Sequence, residues 1–199
     1  MAGMALAAIV LISVVIYSLS QLNSIASSSP LHDLTIQPTL RQNLPHFEYS
    51  DEGKTLKPEN FAGHWTLMTF WAYYCAPCLE EMPALNQLQQ QNADFEITTV
   101  NVDEPGSESF EAARHYLSDQ QIVLATLFDR KGVLKKAFDV TELPQHFLIS
   151  PEGKIVWKAT GAFKWNEAKA RDQLARAMND DVEDSTEPPG PDSTEAPAK

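Results

Sequence analysis

Cys75 and Cys78 are the only cysteines of the chain, and Ala76 and Pro77 are all that separates them. Thr66 to Ala72, just before them, is β-branched, aromatic and apolar, which suits a buried strand. From Leu79 onward, Leu79, Met82, Leu85 and Leu88 recur at helical spacing between Glu80, Glu81, Asn86, Gln87, Gln89 and Gln90. The pattern places Cys75 at the mouth of a helix and Cys78 in its first turn. Unpaired N–H groups and the positive end of the helix dipole favour a thiolate there. A thiolate attacks a disulfide, and a second cysteine within the same turn can resolve the mixed species. Rival uses of CxxC fit less well. Zinc needs about four ligands, and no second CxxC or HxxxH is present. Haem attachment needs His after the second cysteine, where Leu79 stands. A structural bridge closing so short a loop would stabilise little. Redox chemistry at Cys75 and Cys78 is the expectation.

Phe70-Trp-Ala-x-x-Cys-x-Pro-Cys78 resembles the active-site segment of thioredoxin-fold proteins. Glu81-Met-Pro83 is similar to the TlpA/ResA/CcmG branch, membrane-anchored thiol–disulfide oxidoreductases of bacteria whose motif runs roughly WCxPCxxExP. The order LPxFxxxDxGKxLxxxxFxG before the active site, here from Leu44 to Gly63, extends the resemblance. Tyr74 stands where the family usually has Trp. Thr69 stands where thioredoxin has a buried Asp and this branch often has Asn. With that acid missing, Glu81 is the substitute for proton transfer to Cys78, since the two are i and i+3 on one helix face; the competing reading is a solvated helix charge.

The resemblance also implies a cis-proline entering a central strand beside the cysteines, and Pro144 of Leu143-Pro-Gln-His-Phe-Leu-Ile-Ser150 matches it. Gln145-His146 replaces the usual Thr-Thr, and His146 is expected as a partly buried scaffold residue. A proline donates no ladder hydrogen bond, so the Leu143 backbone stays available to an extended client. The client groove is placed at Trp71, Tyr74, Ala76, Pro77 and Leu143, with Glu81 and Pro144 auxiliary.

Residues 1–31 carry no Asp, Glu, Lys or Arg, and Ala5 to Leu22 is mostly apolar. About 18–20 such residues span a hydrocarbon core, so residues 1–23 are expected as a membrane anchor. A cleaved signal peptide is the rival. Residues 24–43 read as a flexible tether, with Ser27-Ser-Ser-Pro30 within it. The domain is expected over 44–179. Strands are expected at Leu44–Tyr49 and 54–56 about an Asp-Glu-Gly turn, at 66–72, at 96–102 and at 122–128. A helix capped by Ser107 or Ser109 should run to about Asp119, a short helix from Gly132 to Phe138, and a closing helix from Trp165 to Met178. Pro83 should kink the active-site helix by removing a hydrogen bond to Leu79. Residues 180–199 hold seven acids and one lysine, half of the chain's net charge of −12. They are expected to be a disordered, acidic, Pro-rich tail. That charge argues against nucleic-acid binding.

The fold class expected is α/β: a thioredoxin fold with an N-terminal β-hairpin extension and a central mixed sheet flanked by helices. The function expected is an exported thiol–disulfide oxidoreductase needing no cofactor beyond the Cys75–Cys78 pair. The Ala76-Pro77 dipeptide resembles thioredoxin's and favours a reductase. The resemblance implies a disulfide-containing client protein, an electron-donating membrane reductase of the DsbD type, and a single-pass place in a bacterial inner membrane with the domain in the periplasm. Cytochrome c maturation is a typical task of the branch. A non-catalytic client-binding module is the alternative. A peroxiredoxin would need PxxxTxxC before Cys75, and a Sco-type copper protein CxxxC; neither pattern is present.

Overall fold

A computed structural model describes residues 35–37, 41–51, 54–93 and 95–185. Its centre is strand β5 (Trp65–Trp71), six of whose seven residues are buried. A strand covered on both faces needs no polar alternation, which is why this stretch reads as one apolar run. Its side chains divide by parity. Leu67 and Trp71 join a core with the active-site helix α1 (Ala76–Gln91), while Met68 and Phe70 join a second core on the opposite face.

Around β5, the strands β6 (Phe95–Asn101) and β7 (Ala125–Phe128) continue the sheet in parallel on one side. On the other, β8 (Gln145–Ile149) and β9 (Lys154–Thr160) continue it antiparallel. The edge is completed by β1 (Thr35–Gln37) and β2 (Gln42–Asn43), both paired antiparallel with β9. The result is a mixed sheet in the order β1-β9-β8-β5-β6-β7, the central mixed sheet expected. The expected hairpin is present as β3 (Tyr49–Asp51) and β4 (Lys54–Leu56), forming a sheet of its own. Its first strand starts at Tyr49 rather than Leu44.

The first core holds α1 together with Ala113, Tyr116 and Leu117 of α2 (Glu108–Asp119) and Ala170 and Leu174 of α4 (Ala168–Ser185). The second holds Leu134 of α3 (Val133–Ala137), with Phe138 and the hairpin's Tyr49. Ser107 is the cap of α2, its side chain accepting from Phe110 N–H at 3.1 Å.

Three expectations are corrected. Residues 24–43 are not tether throughout, because the edge of β9 offers unpaired backbone groups that residues 35–37 and 42–43 satisfy. The closing helix begins at Ala168 rather than Trp165 and continues to Ser185, past the expected start of the tail. Trp165 lies before it and is fully buried. The expected anchor, at 1–23, and the tail beyond 185 lie outside the described residues. Among the described residues, no helix is long and apolar enough to cross a membrane.

Candidate active site

The chain leaves β5 at Trp71, and Cys75 becomes the N-cap of α1, with Pro77 in the first turn where a missing N–H costs nothing. Cys75 Sγ accepts from Cys78 N–H at 3.3 Å, so the sulfur takes the place a capping oxygen would occupy. The two cysteines are joined, with Cα atoms 5.3 Å apart. Cys75 keeps 8% of its surface exposed and Cys78 none. Burial thus separates an outer sulfur from an inner one, as nucleophile and resolver require.

The loop before Cys75 is held from the neighbouring strand. Asp103, buried just beyond β6, accepts from Tyr73 N–H and from Asn101 Nδ2, both at 2.7 Å. Tyr73 and Tyr74 are therefore presented at the rim, Tyr74 with 66% of its surface exposed. Partial burial, then the negative charges of Asp103 and Glu104, push the Tyr74 hydroxyl pKa up. Trp71, expected in the client groove, is instead completely buried and packs on Tyr116, with ring centroids 6.3 Å apart. Its parity on β5 turns it toward α1. Ala76 and Pro77 are exposed, Leu143 is half-buried, and Pro144 is buried at the start of β8. The Leu143–Pro144 peptide is cis, as expected.

Behind the cysteines lies a buried polar group. Glu81, one turn beyond Cys78, is 3% exposed, which rules out the solvated-charge reading. Its Oε2 accepts from Phe163 N–H at 3.1 Å and Trp165 Nε1–H at 3.3 Å. Its Oε1 is buried without a hydrogen-bond partner. Burial outweighs the two donors and pushes the carboxyl up to about 8. Phe163 and Trp165 reach it because Gly161, at φ +97°, turns the chain off the end of β9 into a conformation that favours glycine.

His146 is fully buried on β8, directly opposite Thr69 of β5. Its Nδ1 lies 3.1 Å from Thr69 Oγ1 and its Nε2 3.1 Å from Gly161 O. That Nε2 is also 3.6 Å from Glu81 Oε2. Burial holds the imidazole down at about 4, so at neutral pH the contact is between uncharged groups and is no salt bridge. The sequence implies a partly buried scaffold role for His146 and marks Thr69 only as standing in place of an acid; that the two meet, and that Trp165 and Asp103 hold the site, is not visible in local pattern. Strand parity was the available signal, since His146 shares a face with Leu148 of the α1-side core. Among the described residues, no cluster of three or more His, Cys, Asp or Glu is placed to hold a metal ion.

Comparison with known proteins agrees with this geometry. Residues 40–158 match the model of the AhpC/TSA family. The thiol-disulfide oxidoreductase ResA of Geobacillus thermodenitrificans is 33% identical over 128 residues, 63% of this chain and 71% of the relative. The ResA of Bacillus subtilis is 32% identical over 120 residues, 59% of this chain and 65% of the relative. A crystal structure from Chlorobium tepidum, assigned as the thiol:disulfide interchange protein DsbE, superposes with a TM-score of 0.60 at 24% identity. It covers 71% of this chain and 99% of that one, a likeness of fold. The chain belongs to the AhpC/TSA family and, within it, to the ResA-like thiol–disulfide oxidoreductases of thioredoxin fold. The matches to ResA span about two thirds of those relatives' own length.

Proposed function

We propose that the protein is an exported reductase of protein disulfides in which Cys75 attacks, Cys78 resolves and Glu81 takes the proton of Cys78. The observation that carries this is the graded burial of one short stretch: Cys75 partly exposed at the helix N-cap, Cys78 sealed behind it, and a buried carboxyl one turn further on. In the first step the Cys75 thiolate bonds to one client sulfur and the other leaves with the electron pair. Glu81, in its ionised form, then accepts the Cys78 proton, and the Cys78 thiolate bonds to Cys75 Sγ, releasing the second client sulfur as a thiolate. Two electrons pass from the dithiol to the client, and the Cys75–Cys78 disulfide remains. Burial that pushes the Glu81 carboxyl up to about 8 makes its ionised form a stronger base than an ordinary carboxylate, which favours uptake of a proton from a thiol.

A client segment would lie extended against Leu143 and Pro144, with Tyr74, Ala76 and Pro77 around the outer sulfur. Regeneration needs a membrane dithiol donor of the DsbD type. The apolar stretch from Ala5 to Leu22 supports a single-pass anchor in a bacterial inner membrane with the domain in the periplasm, and maturation of cytochrome c is the task we assign to it. The test is reduction of a protein disulfide by the reduced chain. Cys75→Ser should abolish turnover, and Cys78→Ala should stop it at the mixed disulfide. Unchanged turnover in Cys75→Ser would remove the assignment and leave a client-binding module.

A further inference from the structure

The two oxygens of the Glu81 carboxyl have unequal surroundings. Oε2 takes both hydrogen bonds, from Phe163 N–H at 3.1 Å and from Trp165 Nε1–H at 3.3 Å. Oε1 is buried without a partner. A carboxyl is planar, so holding one oxygen fixes where the other stands. Phe163 donates from the backbone, whereas Trp165 donates from its side chain, and an indole N–H can only donate. The indole is itself held. It is buried, stacks on Phe163 with ring centroids 5.0 Å apart at 27°, and meets the His146 ring edge-on at 5.2 Å.

Resting on the reading of Glu81 as acceptor of the Cys78 proton, we propose that Trp165 is the positioning residue of that acceptor: its indole N–H pins Oε2 to the loop after β9 and leaves Oε1 as the oxygen that takes the proton. Oε2, already facing two donors, has no place for a hydrogen of its own, yet it accepts from both as the carbonyl oxygen of the neutral acid. In the resolving step the proton passes from Cys78 Sγ to Oε1 of the ionised carboxyl. Cys78 Sγ bonds to Cys75 Sγ, and the electron pair of the broken Cys75–client bond leaves on the client sulfur. The donor on Oε2 also favours the charged form, the one able to take a proton, against the burial that opposes it.

Among the described residues, Trp165 is the one side chain that donates to this carboxyl. From β8, His146 Nε2 lies 3.6 Å from Oε2, but a carbonyl oxygen only accepts, so the single N–H of the neutral ring goes to Gly161 O at 3.1 Å. From β5 comes Thr69, which carries no charge and lies 3.1 Å from His146 Nδ1. On α1 the titratable neighbours are Cys78, one turn back, and the exposed Glu80. The loop brings Lys164 and Glu167, both exposed and paired with each other at 3.3 Å. With Glu80 they line a cleft of about 640 Å³ between α1 and the 162–167 loop.

The test uses the full chain and its variants Trp165→Phe and Glu81→Gln. In the oxidised protein, where the cysteines carry no proton, infrared difference spectroscopy reads the C=O stretch of the protonated Glu81 carboxyl, the band that Glu81→Gln removes. Trp165→Phe keeps a ring and loses the N–H. The band should therefore move to higher wavenumber, and the midpoint at which it is lost should rise by about one pH unit. The pH profile for resolution of a client mixed disulfide should rise with it. A band that stays in place, or a midpoint unmoved or lowered, overturns the proposal. Should Trp165→Phe fail to fold, the wild-type indole carries the test. Its N–H resonance should titrate together with the carboxyl band and keep a hydrogen-bonded, downfield position in both forms. A resonance indifferent to that titration, or one that loses its hydrogen-bonded position as the carboxyl gains its proton, overturns the proposal equally. Glu81→Gln separates the two readings: if mixed disulfides resolve as fast in it as in wild type while the shifts at Trp165 occur, the acceptor role of Glu81 fails and the hold of Trp165 on the carboxyl stands.

Discussion

At the scale of single residues, the site works by unequal burial of like groups. Cys75 and Cys78 are chemically identical, yet one retains some contact with solvent and the other none. In the reduced chain, Cys75 should therefore react with iodoacetamide at neutral pH at least about tenfold faster than Cys78, as expected of a thiolate at a helix N-terminus beside a buried thiol. Peptide mapping after short exposure checks the order, and faster labelling of Cys78 would reverse the assigned roles. Both cysteines were legible in the sequence because spacing and the strand-to-helix transition are local. Glu81 was half legible. The i, i+3 relation to Cys78 was visible, but its burial depends on Phe163 and Trp165, which are 82 and 84 residues away in sequence. Trp71 went the other way: being next to the motif suggested a groove residue, while strand parity buried it.

At the scale of elements, α1 carries its own irregularity. Pro83 has no N–H to give to Leu79 O, so the helix leaves that carbonyl without its usual donor. The Tyr116 hydroxyl of α2 donates to it at 2.7 Å. Tyr116→Phe should therefore destabilise the protein by about 1–2 kcal/mol, the cost of an unmet acceptor. With Pro83→Ala also present, the helix supplies its own N–H and the cost should shrink. A double-mutant cycle by denaturant unfolding checks this, and additive effects would contradict it. The sequence announced the proline and predicted a kink; the partner on another helix lay beyond local pattern. Element types were otherwise readable wherever periodicity ran long, as in β5, α1 and β6. Short pieces were not: β1 and β2 exist because β9 needs an edge partner, and the Ser-, Pro- and polar-rich sequence around them reads as linker.

At the scale of the whole molecule, the buried pair links stability to pH. Folding raises Glu81 from 4.5 to about 8 and lowers His146 from 6.5 to about 4. The folded state binds the Glu81 proton more tightly, so that contribution is lost as pH rises from 4.5 through 8. The folded state resists protonation of His146, so stability is lost there as pH falls from 6.5 through 4. The two slopes oppose each other between 4.5 and 6.5. From 6.5 to 8, Glu81 acts alone, and oxidised protein should lose about 2 kcal/mol. Urea unfolding across that range should show the loss in wild type and a flatter profile in Glu81→Gln; a stability that rises with pH in wild type would contradict it. The domain's α/β order was legible because strands and helices alternate along the chain, whereas the meeting of Thr69, Glu81, His146 and Trp165 depends on how sheet and helix stack. The central claim remains the transfer of electrons through Cys75, and the direct measurement is the intact mass of Cys78→Ala after brief exposure to a disulfide-bonded protein. A covalent adduct on Cys75, dissolved by reductant and absent from Cys75→Ala, is the predicted result; no adduct, or one formed equally well by Cys75→Ala, would contradict it.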